Sequence, residues 1–225
     1  MVKVPWQHQQ IWPDRWAAGL ELAQRLEPWR GRSGETVVLG LPRGGIAVAA
    51  AVAQTLALPL GSWAVRKLAL PSHPEYAIGA IAAGGVVIWN PAAMGLLGAN
   101  GGRRQQLINA ESPELSRRQQ RFGDPPAAAL RGRHLIVIDD GIATGMTVLA
   151  ALQSLRQLAP AELVLAVPVL DRRLMTSLQA RSDSLVALRI VEGLQAVGAY
   201  YDNFEQLSDR EVLELLAQAN RPRAQ

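Results

Sequence analysis

The chain has 225 residues, 49% of them apolar, with 23 Lys and Arg against 19 Asp and Glu (net charge +4) and no cysteine. It is too apolar and too weakly charged for a disordered chain. It has no thiol for a disulfide or a thiolate metal site, and no run of about 18 apolar residues such as a membrane span needs.

The first eight residues, Met1 to His8, lack the apolar core of a signal peptide, so a cytoplasmic protein is expected. Asp14 is placed to cap a helix carrying Trp16, Leu20, Ala23 and Leu26 at helical spacing, and Pro28 marks its end. Residues 31–34 read as a turn. Residues 36–41 are short, apolar and β-branched, which predicts a buried strand. Pro42, Arg43, Gly44 and Gly45 break it, and an alanine-rich helix follows over 46–56. A strand is expected at 63–65, ending at Arg66 and Lys67. A loop follows over 68–76, with Pro71, His73 and Pro74. Strands at 78–82 and 86–89 flank Gly84-Gly85, a hairpin signal.

Polar, helical sequence occupies 91–122, interrupted by Gly98, Gly101, Gly102 and Pro113. Its basic stretch (Arg103, Arg104, Arg117, Arg118, Arg121) predicts the solvated face of a helix rather than a nucleic-acid surface. After Pro125-Pro126 comes a second buried strand at 134–138, then a helix over 146–158. A strand at 163–169, a short helix, a strand at 185–191 and a helix at 209–219 close the chain. Strands alternating with helices predict an α/β fold, a doubly wound and mainly parallel sheet with helices on both faces. In such sheets ligands bind beyond the carboxyl ends of the strands.

The most informative stretch follows the second buried strand: Asp139, Asp140, Gly141, Ile142, Ala143, Thr144, Gly145, Met146 and Thr147. An apolar strand delivers two carboxylates to the sheet edge, and a glycine-bearing loop turns into a helix. Amides at a helix start bind anions, and the helix dipole assists. Thr144 and Thr147 add hydroxyls. The carboxylates would repel a phosphate but suit sugar hydroxyls or a hydrated divalent cation. A sugar phosphate satisfies both halves. No G-x-x-x-x-G-K-[ST] is present, and no G-x-G-x-x-G follows the first strand.

These nine residues resemble the motif with which type I phosphoribosyltransferases bind 5-phosphoribosyl 1-pyrophosphate (PRPP). The resemblance implies that Asp139 and Asp140 hold the ribose hydroxyls and that residues 143–147 take the 5′-phosphate. Leu41 to Gly45 resembles the family's pyrophosphate loop, although a simple turn before a helix would also fit. In the family this loop often carries a non-proline cis peptide, which here falls near Pro42–Arg43. Arg66-Lys67 resembles a strand-ending pair in adenine- and orotate-type members. With Pro42, Arg43, Gly44 and Gly45 it would form the pyrophosphate site.

The resemblance further implies one domain over 1–225, with a mobile hood loop at 68–77. Hood or base-side elements would come from the N-terminal segment, from 168–225, or from both. Catalytic roles would fall to Arg43, Arg66, Lys67, Asp139 and Asp140. Mg²⁺ would be held by Asp139, Asp140 and Asp202, and Tyr200 and Tyr201 would stand on the base side. Position 143 is alanine where 6-oxopurine members carry aspartate, which argues against that route for the purine proton. The expected partners are PRPP and a nucleobase or related amine, in a homodimer, with neither membrane nor nucleic acid. A PRPP-binding regulator without turnover, RNA-binding in one version, is the alternative.

Overall fold

The computed structural model describes residues 11–70, 73–97 and 101–221. In chain order the elements are α1 (Arg15–Arg25), β1 (Thr36–Gly40), α2 (Gly44–Leu56), β2 (Leu60–Ser62), β3 (Val65–Leu70), β4 (His73–Ala82) and β5 (Val86–Trp89). Then come α3 (Met94–Leu97), α4 (Gly101–Phe122), α5 (Ala127–Leu130), β6 (His134–Ile138), α6 (Met146–Arg156), β7 (Glu162–Asp171), α7 (Met175–Gln179), β8 (Ser184–Val191) and α8 (Asp209–Ala219).

Five strands form a parallel sheet in the order β2-β1-β6-β7-β8. Its central strands are continuous apolar runs because helices cover both faces. Alternate residues serve opposite layers: Val37, Leu39, Leu135 and Val137 face one core, with α6 and the small sheet. Val38, Ile136 and Ile138 face the other, with α1, α2 and α8.

α1 starts where expected, with the Asp14 carboxylate accepting the Ala17 amide at 2.8 Å. Its buried face includes Ala23 and Leu26 as expected, with Trp16 half-buried, and departs at Leu20. Leu20 is exposed, while Ala18, Gly19, Leu22 and Ala23 are buried. The small residues Ala18, Gly19 and Ala23 let α1 lie close against the alanine-rich α2, and this turns Leu20 outward.

The largest corrections concern residues 60–90. The edge strand of the parallel sheet is 60–62, not 63–65, and the chain then leaves that sheet. Arg66 and Lys67 therefore lie inside β3, in a separate antiparallel sheet ordered β3-β4-β5. Residues 68–70 and 73–77 belong to strands β3 and β4 rather than to a loop, with pairing that reaches Leu70 and His73, and 71–72 lie outside the described residues. Pro74 lies where the ladder register shifts, so its missing N–H leaves no regular bond unmade. The hairpin around Gly84-Gly85 forms as expected.

α4 runs through Pro113 where an interruption was expected. A helix-interior proline costs about 3 kcal/mol. Here buried Leu115 and Phe122 and the Glu111–Arg66 ion pair at 2.6 Å anchor the helix on both sides of it. Gly98 lies outside the described residues. No helix among the described residues is long and apolar enough to cross a membrane.

The crossing from β2 to β3 is pinned by Asp124, whose carboxylate accepts the Ala64 amide at 2.9 Å. Burial pushes its pKa up to about 6. The folded form thus holds this proton more tightly than the unfolded chain, and stability falls as pH rises from about 4 through 6. Asp124→Asn keeps the acceptor and removes the charge. It is expected to stabilise the protein at pH 8 by up to about 3 kcal/mol, with the gain fading toward pH 4. Urea unfolding at both pH values checks this, and a gain independent of pH would contradict it.

Candidate functional site

In the sheet order the chain winds outward in opposite directions from β1 and β6, so the topological switch point lies between them. The two loops that leave these strands open onto one cleft of about 560 Å³.

On the β1 side, the Leu41 amide is bonded to the Ile138 carbonyl at 2.9 Å, which holds the two loops together. The Pro42–Arg43 peptide is cis, as the resemblance implied. α2 begins directly after it, and Gly44 lies against the Asp140 carboxylate with no room for a Cβ.

On the β6 side, Asp139 and Asp140 leave the strand end, and the Asp140 amide donates to Asp139 Oδ1 at 2.9 Å. Ile142 then bridges to β7, its amide donating to the Val169 carbonyl at 2.9 Å. Gly145, at φ 75°, makes the left-handed turn into α6 that other residues adopt only with strain.

α2 and α6 share a feature that α1 and α8 lack. The outer pair have side-chain N-caps, Asp14 and Ser208. The two helices that open on the cleft have none. Their first-turn amides and positive dipole ends therefore converge on the cleft without a side-chain acceptor.

Burial raises the pKa of both aspartates. For Asp139 the neighbouring Asp140 charge adds to the rise, and the carboxyl sits well above its usual range. For Asp140 the Arg15 guanidinium opposes it. Arg15, at the first turn of α1, is buried, with Nε 2.7 Å from Asp140 Oδ2. Its Nη1 donates to the Glu205 carbonyl at 3.0 Å, and its guanidinium lies 3.8 Å from the Phe204 ring centroid.

The wall opposite the aspartates comes from 197–207, joined to the start of the described chain. The Trp12 amide donates to the Tyr200 carbonyl at 3.1 Å, and Trp12 bridges Tyr201. This wall thus joins chain from both terminal regions. Tyr201 is buried, and its hydroxyl donates to the Asp140 carbonyl at 2.6 Å. Burial and the nearby Asp140 charge push its pKa up. It supports the aspartate loop rather than offering a free face, since Phe204 stacks on it at 5.1 Å.

Of the expected site residues, Pro42, Arg43, Gly44, Lys67, Asp139, Asp140, Gly141, Ile142, Ala143, Thr144, Gly145 and Thr147 line the cleft. Gly45 is buried beneath it, and the Met146 side chain belongs to the core. Arg66 is turned to Glu111 on α4 and does not line the cleft. Asp202 is exposed and does not line it, nor does Tyr200.

Sequence reasoning missed Arg15, Arg118, Val197 and Phe204, which do line it. Arg118 departs from the expected solvated face, with a side chain only 12% exposed. A signal existed: Glu111, Leu115, Arg118 and Phe122 recur at helical spacing on one inward stripe.

The model of a family described as "Phosphoribosyl transferase domain" matches residues 15–186. Two Mycobacterium tuberculosis proteins, from strains CDC 1551 and H37Rv, each bear the name "Putative phosphoribosyl transferase". Each is 40% identical over 222 residues, covering 94% of this chain and 47% of its own length. The chain thus spans about half the length of these relatives. The crystal structure of TT1426 from Thermus thermophilus is 36% identical, with a TM-score of 0.71 over 92% of this chain and 98% of its own. The AQ2163 protein of Aquifex aeolicus, 12% identical, matches with a TM-score of 0.51 over 82% of this chain and 78% of its own, a likeness of fold alone.

Proposed function

The chain belongs to the phosphoribosyl transferase family, and on that premise we propose that it uses PRPP to transfer phosphoribose to a nucleobase or related nitrogen nucleophile, releasing pyrophosphate. The observation that carries this reading is the convergence of two helix N-termini without side-chain caps on either side of the Asp139–Asp140 pair. One anion site beside the sugar-binding carboxylates would serve a simple sugar phosphate. Two, on opposite sides, match a sugar phosphorylated at both ends.

The α6 terminus with Thr144 and Thr147 takes the 5′-phosphate. Asp139 and Asp140 accept from the ribose hydroxyls, with Arg15 favouring the charged form of Asp140 against burial. The amides at the start of α2, with Arg43 and Lys67, face the pyrophosphate. Nucleophilic attack at C1 of ribose passes through an oxocarbenium-like state, so the protein's task is positioning and stabilisation of the leaving group.

The donor set fits Mg²⁺. That ion keeps several waters and takes one or two carboxylates together with substrate phosphates. Asp139 has no cation bonded to it among the described residues and is the carboxylate placed to hold the ion; Asp140 is already paired with Arg15. When bound, Mg²⁺ would neutralise charge on the pyrophosphate. Asp202, exposed and outside the cleft, has no place in that set.

Calorimetric titration of PRPP with and without Mg²⁺ tests the reading. Wild type is expected to bind, more tightly with Mg²⁺, and Asp139→Asn/Asp140→Asn is expected to lose at least 10-fold in affinity. Binding would justify a screen of nucleobases for pyrophosphate release. A wild-type protein that binds no PRPP would overturn the proposal.

A further inference from the structure

We propose that Arg118, carried by the long helix α4, is a ligand of the pyrophosphate group, so that a helix outside the parallel sheet completes the anion site. The inference rests on the PRPP reading above and assigns a residue to it.

Four observations carry it. Arg118 lines the same cleft as Pro42, Arg43 and Gly44. Its Nη1 lies 3.4 Å from the Pro42 carbonyl, at the cis peptide that opens α2. Its Nε is fixed by Glu114 at 2.9 Å, and Nη2 has no hydrogen bond among the described residues. A guanidinium fixed at Nε presents its other edge in one direction, the geometry suited to bidentate recognition of a phosphate.

The local charge balance also leaves this cation underpaired. Glu114 is shared between Arg118 and Arg117, and Asp209 between Arg117 and Arg43. Three guanidinium groups therefore face two carboxylates. Burial, with the Arg66 and Arg43 charges nearby, already disfavours the charged form of Arg118. A like-charge arrangement held in a partly buried cleft is relieved by an anion, and a pyrophosphate between Arg43 and Arg118 would supply one.

α4 is well anchored for this role. Its Glu111 is bound to Arg66 of β3 at 2.6 Å, and Leu115 is buried between the two polar contacts. The same helix thus braces the antiparallel sheet and delivers a cation to the cleft. The expected solvated basic stretch contains one member with a different destination.

The test is calorimetry with three probes, inorganic pyrophosphate, PRPP and ribose 5-phosphate, on wild type, Arg118→Gln and Arg118→Lys, with thermal melting as the folding check. Arg118→Gln is expected to weaken pyrophosphate and PRPP at least 10-fold and to leave ribose 5-phosphate within 2-fold. Arg118→Lys is expected to recover part of the loss through its charge. Unchanged pyrophosphate binding in Arg118→Gln would overturn the assignment. So would an equal loss for all three probes, which marks a structural role, or a lysine variant no better than the glutamine one. If wild type binds pyrophosphate but not PRPP, the transferase reading fails while the Arg118 assignment is still decided by the pyrophosphate arm. If it binds neither, both fall.

Discussion

Gly44→Ala is expected to reduce PRPP affinity by 10-fold to 100-fold while leaving a folded protein. A Cβ at this position would overlap the Asp140 carboxylate, lying 2.7 Å from its Cγ, and would come within 2.9 Å of Arg15 Nε. Neither group can step aside freely. Asp140 is bonded to Arg15, and Arg15 is held in turn by the Glu205 carbonyl and the Phe204 ring. The methyl group therefore displaces the carboxylate proposed to hold the ribose, and it tilts the first turn of α2 away from the pyrophosphate. Overpacking of this kind costs about 1–3 kcal/mol of stability. Calorimetry with PRPP and a thermal melt measure the two effects separately. A variant destabilised by that amount but binding PRPP normally would show that Asp140 does not touch the ribose.

Removal of Arg15 is expected to cost more stability than any other single change at the site. Arg15→Met leaves two adjacent carboxylates without their cation in a buried setting, where breaking a pair typically costs about 3–5 kcal/mol. The cost should depend on pH in a definite direction. Burial already holds both aspartates above their usual range, and Arg15 is what opposes this for Asp140. Without it, the folded-state pKa of Asp140 rises further above the unfolded value. Folding then favours the protonated carboxyl, so the variant loses stability as pH rises and recovers it as pH falls. Urea unfolding at pH 5 and pH 8 is expected to show a larger gap from wild type at pH 8. An equal gap at both would mean that Arg15 acts through packing on Phe204 rather than through charge.

Both predictions place weight on α1. The helix is remote in sequence from the aspartate loop, yet its first residue forms part of the cleft. Tyr201 completes the same support from the opposite end of the chain, bonding the Asp140 carbonyl. Asp140 is therefore held from two segments remote in sequence, α1 and the one that carries Tyr201. Val197, Phe204, Gln206 and Leu207 line the cleft beside Arg15, and the tyrosines expected on the base side do not line it.

The sequence by itself determined what depends on neighbours along the chain. The strands read at 36–41 and 134–138, the helices read at 46–56 and 209–219, and the turn from Asp139 to Thr147 are legible to within two residues because apolar runs, caps and glycines act locally. The site between the loops after β1 and β6 is legible for the same reason, since strand ends and helix starts sit next to each other in sequence. Tertiary structure alone decided the rest. Residues 63–70 carry strand-forming sequence in either sheet, and only the pairing of β3 with β4 selects the second one. Arg66 and Lys67 are adjacent, yet strand alternation sends one to Glu111 and the other to the cleft. Arg15 and Arg118 came to line the cleft, and Tyr201 came to brace it, through contacts spanning 125, 76 and 61 positions of the chain. Such contacts arise only when the packed layers bring those groups out of water together, and no local pattern records them.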